Sequence, residues 1–321
     1  MNYLGKYVWC IYMKIPLDIF GRYNLSGDKI MGSKFVGVIF MLVNIVFLYF
    51  VVLFLILCVL SIICSFHFLF TGARFPLPEI EDSVFFNTYF KDVASAMLYD
   101  MTRGQENIHT TLPPNQLQSK TFIDIGSGGG ASIHHLQNFF GKDTNIVLSD
   151  LYPKPELWEK LKTDHVSYIS VPIDATNIPL LSDCYAVSLF GSLHHMDSDT
   201  IHAFLSNIRD GRPDHTKPPI SVLVVEPRRF SRFLQFLHIL LLPLFFPVYF
   251  FICLTGSAMQ SSILNNLVRI LLVPFFMTMD HILGASRRYS YEEITEIAKE
   301  NGFSAIHYSD WIFDYYIIKP I

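Results

Sequence analysis

The sequence has few charged residues: Asp, Glu, Lys and Arg make up 16% of its 321 residues, against 51% hydrophobic residues. A typical soluble domain carries roughly a quarter charged residues, so this chain is too apolar to be soluble along its whole length. The net charge of −4 provides no general basic surface for a nucleic-acid backbone, and we expect no nucleic-acid partner. Disorder is excluded, because it requires low hydrophobicity and high net charge.

Cysteine is also scarce, with five residues and no Cys-x-x-Cys pair. An odd number at scattered spacing argues against both a disulfide framework and a zinc site, so no metal is expected. Together with the shortage of charge, this predicts a membrane-associated protein that also contains a globular domain.

The longest uncharged run covers residues 35–70, which hold no Asp, Glu, Lys or Arg over 36 positions. A transmembrane helix needs about 20 apolar residues, and a cleaved signal peptide has a core of only about 7–15. The run therefore predicts a retained transmembrane anchor at 35–70, preceded by an N-terminal segment, 1–34. A buried core helix is the alternative, but such helices rarely lack a polar stripe over this length.

A second apolar region covers residues 228–284. Pro243 and Pro247 interrupt its first run, and Arg269 lies within its second. Prolines disfavour straight spans, and an arginine is costly at bilayer depth. We predict a membrane-associated hairpin that lies in one leaflet. Two true spans, or an apolar cap over a substrate pocket, remain the alternatives.

The remaining chain, 82–227 and 285–321, alternates between helical and strand patterns. This alternation predicts an α/β fold, a Rossmann-like doubly wound and mostly parallel sheet with a terminal antiparallel strand pair. In such sheets ligands bind at the carboxyl ends of the strands. The predicted helices are 82–101, 129–140, 154–162, 198–210 and 290–303, and the predicted strands are 120–125, 145–150, 166–174, 183–191, 219–227, 305–313 and 315–321.

A glycine-rich turn, Asp124-Ile125-Gly126-Ser127-Gly128-Gly129-Gly130, joins the first strand to the next helix. Glycines there let the backbone turn tightly and approach a ligand closely. Asp150 ends the second strand, 20 residues beyond Gly130, where a carboxylate can accept both hydroxyls of a ribose. Asp174 and Ala175 end the third strand, within reach of an adenine edge.

The fourth strand ends in Phe190-Gly191-Ser192-Leu193-His194-His195, and Glu226 ends the fifth. A histidine at this position can act as a general base, because its ordinary pKa lies near neutral pH. Neighbouring histidines on an extended segment point in opposite directions, so we expect only one of them to face a substrate. Glu226 lies beside the same pocket and could orient an acceptor or cap the chain.

These motifs, in this order, resemble those of class I S-adenosylmethionine (SAM)-dependent methyltransferases, over about residues 82–227 and 285–321. The resemblance implies SAM as cofactor and His194 or His195 as catalytic residue. Two departures stand out: residues 211–219 replace the usual glycine turn before strand five, and no Asn-Pro-Pro-Tyr motif follows strand four. The cofactor-binding residues that the resemblance implies are Asp124, Gly126, Ser127, Gly128 and Gly130 at the methionine and ribose end, Asp150 at the ribose, Asp174 and Ala175 at the adenine, and Phe190 and Gly191 at the sulfonium.

The sequence thus predicts a membrane-bound SAM-dependent methyltransferase that acts on a hydrophobic small molecule or lipid. Its partners would be the lipid bilayer and that substrate. The positive-inside rule would put the N-terminus in the cytosol, but the cytosolic cofactor favours a cytosolic globular domain. Two alternatives remain: an NAD(P)-dependent oxidoreductase, because Gly126-x-Gly128-x-x-Ala131 also fits a dinucleotide pattern, and an inactive membrane scaffold that kept the fold.

Overall fold

A computed structural model of the chain describes residues 29–76, 121–130, 132–179, 184, 186–211, 220–255, 266–267, 270–310 and 313–321. The predicted helix at 82–101 lies outside these residues. The chain divides into two compact units, 1–53 and 54–321. The domain boundaries expected from the sequence stay predictions.

The first described element is a long apolar helix, α1 (Lys29–Thr71), which encloses the predicted anchor. Residues 37–48 are exposed on every side, whereas a single face is buried farther along. The helix ends at Gly72, whose φ of +67° suits glycine and whose N–H donates to the carbonyl of Phe68 at 2.8 Å. The buried face recurs every three or four positions: Leu57, Ser61, Cys64, Ser65 and Phe68.

The globular part alternates strands and helices as the pattern predicts. The helices are α2 (Ser132–Phe140), α3 (Pro155–Trp158), α4 (Ser198–Asp210) and, near the C-terminus, α8 (Tyr291–Glu300). The strands are β1 (Thr121–Ile125), β2 (Asn145–Ser149), β3 (Val166–Tyr168), β4 (Ala186–Phe190), β5 (Ser221–Pro227), β6 (Phe303–Ser309) and β7 (Phe313–Pro320).

These seven strands form one sheet in the order β3-β2-β1-β4-β5-β7-β6. The pairs among β1 to β5 are parallel, and β7 runs antiparallel to both β5 and β6. Apolar side chains fill both faces: Phe204 of α4 and Ile294 of α8 lie on one, Leu136 of α2 and Trp158 of α3 on the other. The predicted doubly wound sheet with a terminal antiparallel pair is therefore confirmed.

Several predicted elements have different bounds. The predicted helix at 154–162 is wrong beyond its first turn, since α3 covers only Pro155–Trp158. The predicted third strand, 166–174, is a three-residue strand, and its later residues lead to a turn in which Asp174 accepts from the Thr176 N–H. The terminal pair begins at Phe303 and Phe313, two residues earlier in each case than predicted.

The second apolar region folds as helices after β5: α5 (Arg232–Leu241), a 3₁₀ turn (Leu242–Phe245), α6 (Phe246–Thr255) and α7 (Val273–Arg287). The Tyr249 hydroxyl of α6 lies 2.5 Å from His281 Nδ1 of α7. Two helical segments, Gly37–Thr71 and Arg232–Phe251, are long and apolar enough to cross a membrane by length and composition. The buried positions of α5 and α6 recur at helical spacing: Gln235, Ile239, Leu242, Phe246, Tyr249 and Cys253.

Candidate active site

The predicted site residues gather at the carboxyl edge of the parallel strands. The Ile173 N–H, beside Asp174, donates to the carbonyl of Asp150 at 2.9 Å. Asp150 in turn accepts from the Gly128 N–H at 2.9 Å. Ser192 Oγ donates to the carbonyl of Gly126 at 3.1 Å, which joins the ends of β1 and β4. The loops after four strands are therefore linked by hydrogen bonds into one continuous rim.

The glycine turn after β1 depends on glycine for its shape. Gly126 has a φ of +68°, in the left-handed region that favours glycine. A Cβ at Gly126 would lie 2.5 Å from Ser192 Oγ, and a Cβ at Gly130 would lie 2.6 Å from the Leu161 side chain. A side chain at either position would strain the backbone and clash with these neighbours. Both the backbone conformation and the available space therefore require glycine.

The Asp124 side chain lies beneath the turn and is fully buried. Its Oδ2 accepts from Ser132 Oγ at 2.6 Å, and its Oδ1 accepts from Ser188 Oγ at 2.7 Å. Burial raises the pKa of Asp124 to about 6, although the serine hydrogen bonds oppose this shift. The carboxylate therefore supports the turn from below, and the predicted contact with a cofactor stays a prediction.

Ser127 and Trp158 complete this support. Ser127 Oγ donates to the carbonyl of Asp124 at 2.9 Å and accepts from the Ser149 N–H at 3.0 Å. The Trp158 indole N–H of α3 donates to the carbonyl of Gly128 at 3.0 Å, and the ring is fully buried. Sequence reasoning missed Trp158. Its signal was faint: a lone tryptophan in the helix that follows the second strand.

Asp150 is held in place by two backbone groups. Its Oδ2 accepts from Gly128 and its Oδ1 accepts from the Tyr152 N–H at 2.8 Å. Each carboxylate oxygen has two lone pairs, so both oxygens keep the capacity to accept a second hydrogen bond. The carboxylate is thus oriented at the partly exposed end of β2, and its contact with a ribose stays a prediction.

Asp174 and Ala175 lie at the outer part of the rim. Asp174 Oδ1 accepts from both the N–H and the hydroxyl of Thr176, at 2.8 Å each, in a local turn. Asp174 is exposed, and Ala175 is half-buried against the core. This local turn matches the ordinary capping role that such an aspartate commonly has, so contact with an adenine rests on position alone.

Phe190 and Gly191 end β4 on the same rim. The Gly191 N–H donates to the carbonyl of Val225 at 2.7 Å, with a φ of +61°. The centroid of the Phe190 ring lies 4.6 Å from that of the His135 ring and 5.7 Å from that of the Phe313 ring. Phe190 therefore belongs to an aromatic cluster at the edge of the rim, and only part of it is exposed.

His194 and His195 lie in a 3₁₀ turn, Leu193–His195, directly after β4. The expectation of an extended segment was wrong: the turn brings the two rings side by side, with centroids 4.4 Å apart. The turn forms because Glu226 Oε1, at the end of β5, accepts from the Leu193 N–H at 2.7 Å.

The second oxygen of Glu226, Oε2, lies 2.5 Å from His194 Nδ1. The two side chains are only 8% and 12% exposed, so water screens their interaction weakly. A carboxylate accepts hydrogen bonds, which assigns the ring proton to Nδ1 and makes Nε2 the unprotonated ring nitrogen. His194 and Glu226 thus form an oriented histidine–carboxylate pair on the rim.

The sequence matches no known family profile and no curated protein. Among solved structures it is similar to the O-methyltransferase NcsB1 from neocarzinostatin biosynthesis, crystallised with S-adenosyl-L-homocysteine (SAH) and 1,4-dihydroxy-2-naphthoic acid. The identity is 15%, with 82% of this chain and 69% of that chain covered and a TM-score of 0.48.

Two other solved structures are similar as well. Mitomycin 7-O-methyltransferase MmcR is 16% identical, over 74% of this chain and 56% of that chain, with a TM-score of 0.40. An O-methyltransferase family protein from Burkholderia thailandensis is 11% identical, over 72% and 59% respectively, with a TM-score of 0.43. At these identities and TM-scores the likenesses carry no conclusion about activity.

The sheet itself is informative about the fold. A dinucleotide-binding sheet of the Rossmann type has six parallel strands in the order 3-2-1-4-5-6. Here an antiparallel strand, β7, is inserted between β5 and β6, as in the family that the sequence motifs resemble. By the order and direction of its strands, this chain has the fold of the class I SAM-dependent methyltransferases.

Proposed function

We propose that this chain is a membrane-bound SAM-dependent methyltransferase that methylates a hydroxyl group on a hydrophobic small molecule or lipid. The observation that carries the proposal is the His194–Glu226 pair, which lies on the same rim as the glycine turn and Asp150. An oriented histidine beside a nucleoside-type site suits the removal of a hydroxyl proton during transfer.

The residues at the rim fit SAM by their chemistry. The glycine turn leaves room for close approach of a ligand to the backbone at Gly128, where a Cβ would meet only the Gly126 carbonyl oxygen, at 4.0 Å. Asp150 is oriented by Gly128 and keeps acceptor capacity for ribose hydroxyls. Asp174 is exposed on the same rim, next to the residue that binds the Asp150 carbonyl, where it could meet an adenine.

When bound, SAM supplies a methyl group already activated by the adjacent sulfonium. The chain then has to position the acceptor and accept its proton, because positioning supplies most of the acceleration in such a reaction. His194 Nε2 accepts the hydroxyl proton, and Glu226 stabilises the imidazolium that forms. The ring keeps its Nδ1 proton on the Glu226 side throughout.

The strand order supports this proposal over the NAD(P)-dependent oxidoreductase. A doubly wound dinucleotide-binding sheet continues with a parallel sixth strand beside the fifth, whereas here the antiparallel β7 lies next to β5. An inactive scaffold with the same fold would keep the sheet but would need neither Asp150 nor the His194–Glu226 pair in these orientations.

Membrane attachment is supported first by α1. Its apolar part, Gly37–Thr71, has 35 residues, about 52 Å at 1.5 Å per residue, whereas the hydrocarbon core of a bilayer is about 30 Å thick. Only 11% of its most apolar window is buried by the protein. A bilayer would cover this surface, and the helix is long enough to cross one.

The helices after β5 support contact with one leaflet. One side of α5 and α6 packs on the protein, while the other side is apolar and exposed. A soluble helix would carry polar residues on that outer side. We infer that this surface, which we call the outer stripe, lies in the lipid. It consists of Phe233, Leu234, Leu241, Leu244, Phe245, Val248 and Phe251.

The position of these helices supports a hydrophobic acceptor. α5 begins five residues after β5 ends, and Arg287, the last residue of α7, donates from Nη2 to the carbonyl of His195 at 3.4 Å. The apolar helices therefore reach the turn that carries the proposed base. An acceptor dissolved in the bilayer would meet apolar walls beside this site.

The test uses the full chain in membranes, supplied with tritium-labelled methyl groups on SAM and a total lipid extract. We expect label in the organic phase and one SAH formed per methyl transferred. The His194→Gln variant should lose most of this transfer, whereas His165→Gln, a change at an exposed histidine away from the rim, should keep it. Equal transfer by wild type and His194→Gln would overturn the assignment of the base.

A further inference from the structure

The carbonyl groups of the His194 turn are held by a side chain from outside the sheet. Arg74 Nη2 donates to the carbonyl of His194 at 3.0 Å and to the carbonyl of Met196 at 2.7 Å. Its Nε donates to the carbonyl of Arg287 at 2.7 Å, and its Nη1 donates to the Tyr289 hydroxyl. One guanidinium group thus connects the turn, the end of α7 and the buried Tyr289.

Arg74 follows the end of α1 by only three residues, and the segment between them is fixed. The carbonyl of Gly72 accepts from Arg229 Nη2 at 3.4 Å, and the Ala73 N–H donates to the Thr71 hydroxyl at 3.0 Å. The Phe75 N–H donates to the carbonyl of Ser286 in α7 at 3.1 Å. Hydrogen bonds on both sides of Arg74 therefore hold its backbone in place.

This arrangement requires an arginine. A guanidinium group has five donors in a rigid planar fork, whereas a lysine ammonium has three donors at a single point. The guanidinium carbon also lies 3.8 Å from the centre of the Tyr289 ring, in the position of a cation–π contact. Lysine would keep the charge but could not reach both carbonyls, the Arg287 carbonyl and the phenol together.

Tyr289 holds the same turn as a second donor. Its hydroxyl donates to the carbonyl of Met196 at 2.9 Å. Burial raises the pKa of Tyr289 to about 12, although the Arg74 charge opposes this shift, so the phenol keeps its proton at physiological pH. Arg74 and Tyr289 thus both bind backbone carbonyls of the turn and of the residue that follows it.

We propose that Arg74 is a positioning residue, which holds the turn so that His194 keeps its contact with Glu226. The proposal rests on the proposed function, in which this pair is the base. It adds that Arg74, three residues beyond the end of the apolar helix α1, helps to shape the active centre. The glycine turn, which binds the cofactor in our account, makes none of these contacts with Arg74.

The experiment observes the His194 Nδ1 proton directly. A short histidine–carboxylate hydrogen bond gives a proton resonance far downfield of ordinary amide signals. The full chain would be labelled with ¹⁵N-histidine in detergent, and the signal would be assigned by its loss in His194→Gln. The test variants are Arg74→Lys and Tyr289→Phe. The matched control is Arg209→Lys, a change at an exposed arginine of α4 that pairs with Asp210.

We expect Arg74→Lys to move the resonance upfield or abolish it, Tyr289→Phe to move it less, and Arg209→Lys to leave it unchanged. SAM affinity of Arg74→Lys should stay close to that of the wild type, and its thermal unfolding should stay cooperative. In the transfer assay, kcat should fall with little change in the KM for SAM.

An unchanged resonance in Arg74→Lys would overturn the proposal. The proposal would also be overturned if Arg74→Lys lost all three properties: the resonance, SAM binding and cooperative unfolding. Arg74 would then support the fold in general. If the wild-type chain shows the resonance but binds no SAM, the proposed function fails, while the positioning of the turn is still judged by the variants.

Discussion

At the scale of single residues, the Asp124 carboxyl group dominates the electrostatics beneath the glycine turn. It is fully buried, and its hydrogen bonds come from serine hydroxyl groups, which are neutral donors. Burial therefore raises its pKa to about 6, and the group binds a proton more readily in the folded chain than in the unfolded chain, where the value is 3.8.

The first prediction concerns this group. A raised carboxyl pKa favours the folded state below the unfolded value, and the advantage is lost as pH rises through the folded value. The free energy of unfolding should therefore fall between about pH 4 and 6, by up to about 3 kcal/mol from this group. Asp124→Asn should lack this part of the pH dependence in thermal unfolding. Asp164→Asn, at an exposed aspartate, should retain it, and identical profiles for both variants would contradict the assignment.

The second prediction concerns the proposed base. General base catalysis contributes about 10²–10⁴-fold, so His194→Gln should lower kcat by an amount in that range. Glu226→Gln can still accept from Nδ1 but no longer stabilises the imidazolium, and we expect a smaller loss. Neither change should alter SAM affinity measured by calorimetry, because the cofactor is held in our account by the glycine turn and Asp150. A large fall in affinity without a fall in kcat would contradict the role of the pair.

The ends of the second and fourth strands near Asp150 and Phe190 were predictable from the sequence, because hydrophobic runs stop there, whereas Asp174 lies six residues beyond the end of β3. The pairing of His194 with Glu226 was not predictable, since it depends on the register between β4 and β5 and on a turn that Glu226 itself stabilises. The support from Trp158 and Arg74 comes from segments distant in sequence, whose contacts exist only once the chain has folded.

At the scale of elements, the turn between β1 and α2 sets the shape of the rim. Gly126 combines a positive φ with a close neighbour, Ser192, on the loop after β4. This turn was predictable, because a cluster of glycines directly after a short apolar strand is typical of a tight strand-to-helix connection. The extents of α3 and β3 were not, because the sequence pattern continues beyond the residues that are helical in α3 or paired in β3.

The third prediction tests this turn. Gly126→Ala should destabilise the chain by about 1–3 kcal/mol and lower SAM affinity, because it adds both strain and a clash. Adding Ser192→Ala to Gly126→Ala should restore only the part of the lost stability that is due to the clash. Gly37→Ala, in α1 with nothing within 4 Å, is the matched control and should lower neither the stability nor the SAM affinity. If the double variant regained the full stability of the wild type, the strain of a positive φ at Gly126 would contribute little to the loss.

At the scale of the whole molecule, an α/β sheet is combined with helices whose apolar side chains are exposed in the protein. The run at 35–70 and the apolar region after β5 were predictable as helical and apolar from composition alone. The outer stripe was not, because both sides of α5 and α6 are apolar in sequence, and only the packing distinguishes the side that contacts the protein.

The fourth prediction tests whether the outer stripe lies in lipid. A cysteine at Leu244, which is 59% exposed in the protein, should react slowly with a membrane-impermeant maleimide in native membranes and quickly after detergent extraction. A cysteine at Val171, which is 58% exposed on the α/β domain, is the matched control and should react quickly under both conditions once the membranes are opened. Fast labelling at Leu244 in opened membranes would contradict burial in the bilayer.

The central claim is that the rim binds SAM, and calorimetry on the full chain in detergent tests it most directly. SAM and SAH should bind the wild type and Asp164→Ala with micromolar affinity, and Asp150→Ala should bind neither, while NADH should bind none of them. Binding of NADH alone would favour the oxidoreductase, and binding of no ligand would favour the inactive scaffold. Either result would contradict the claim that the rim is a SAM site.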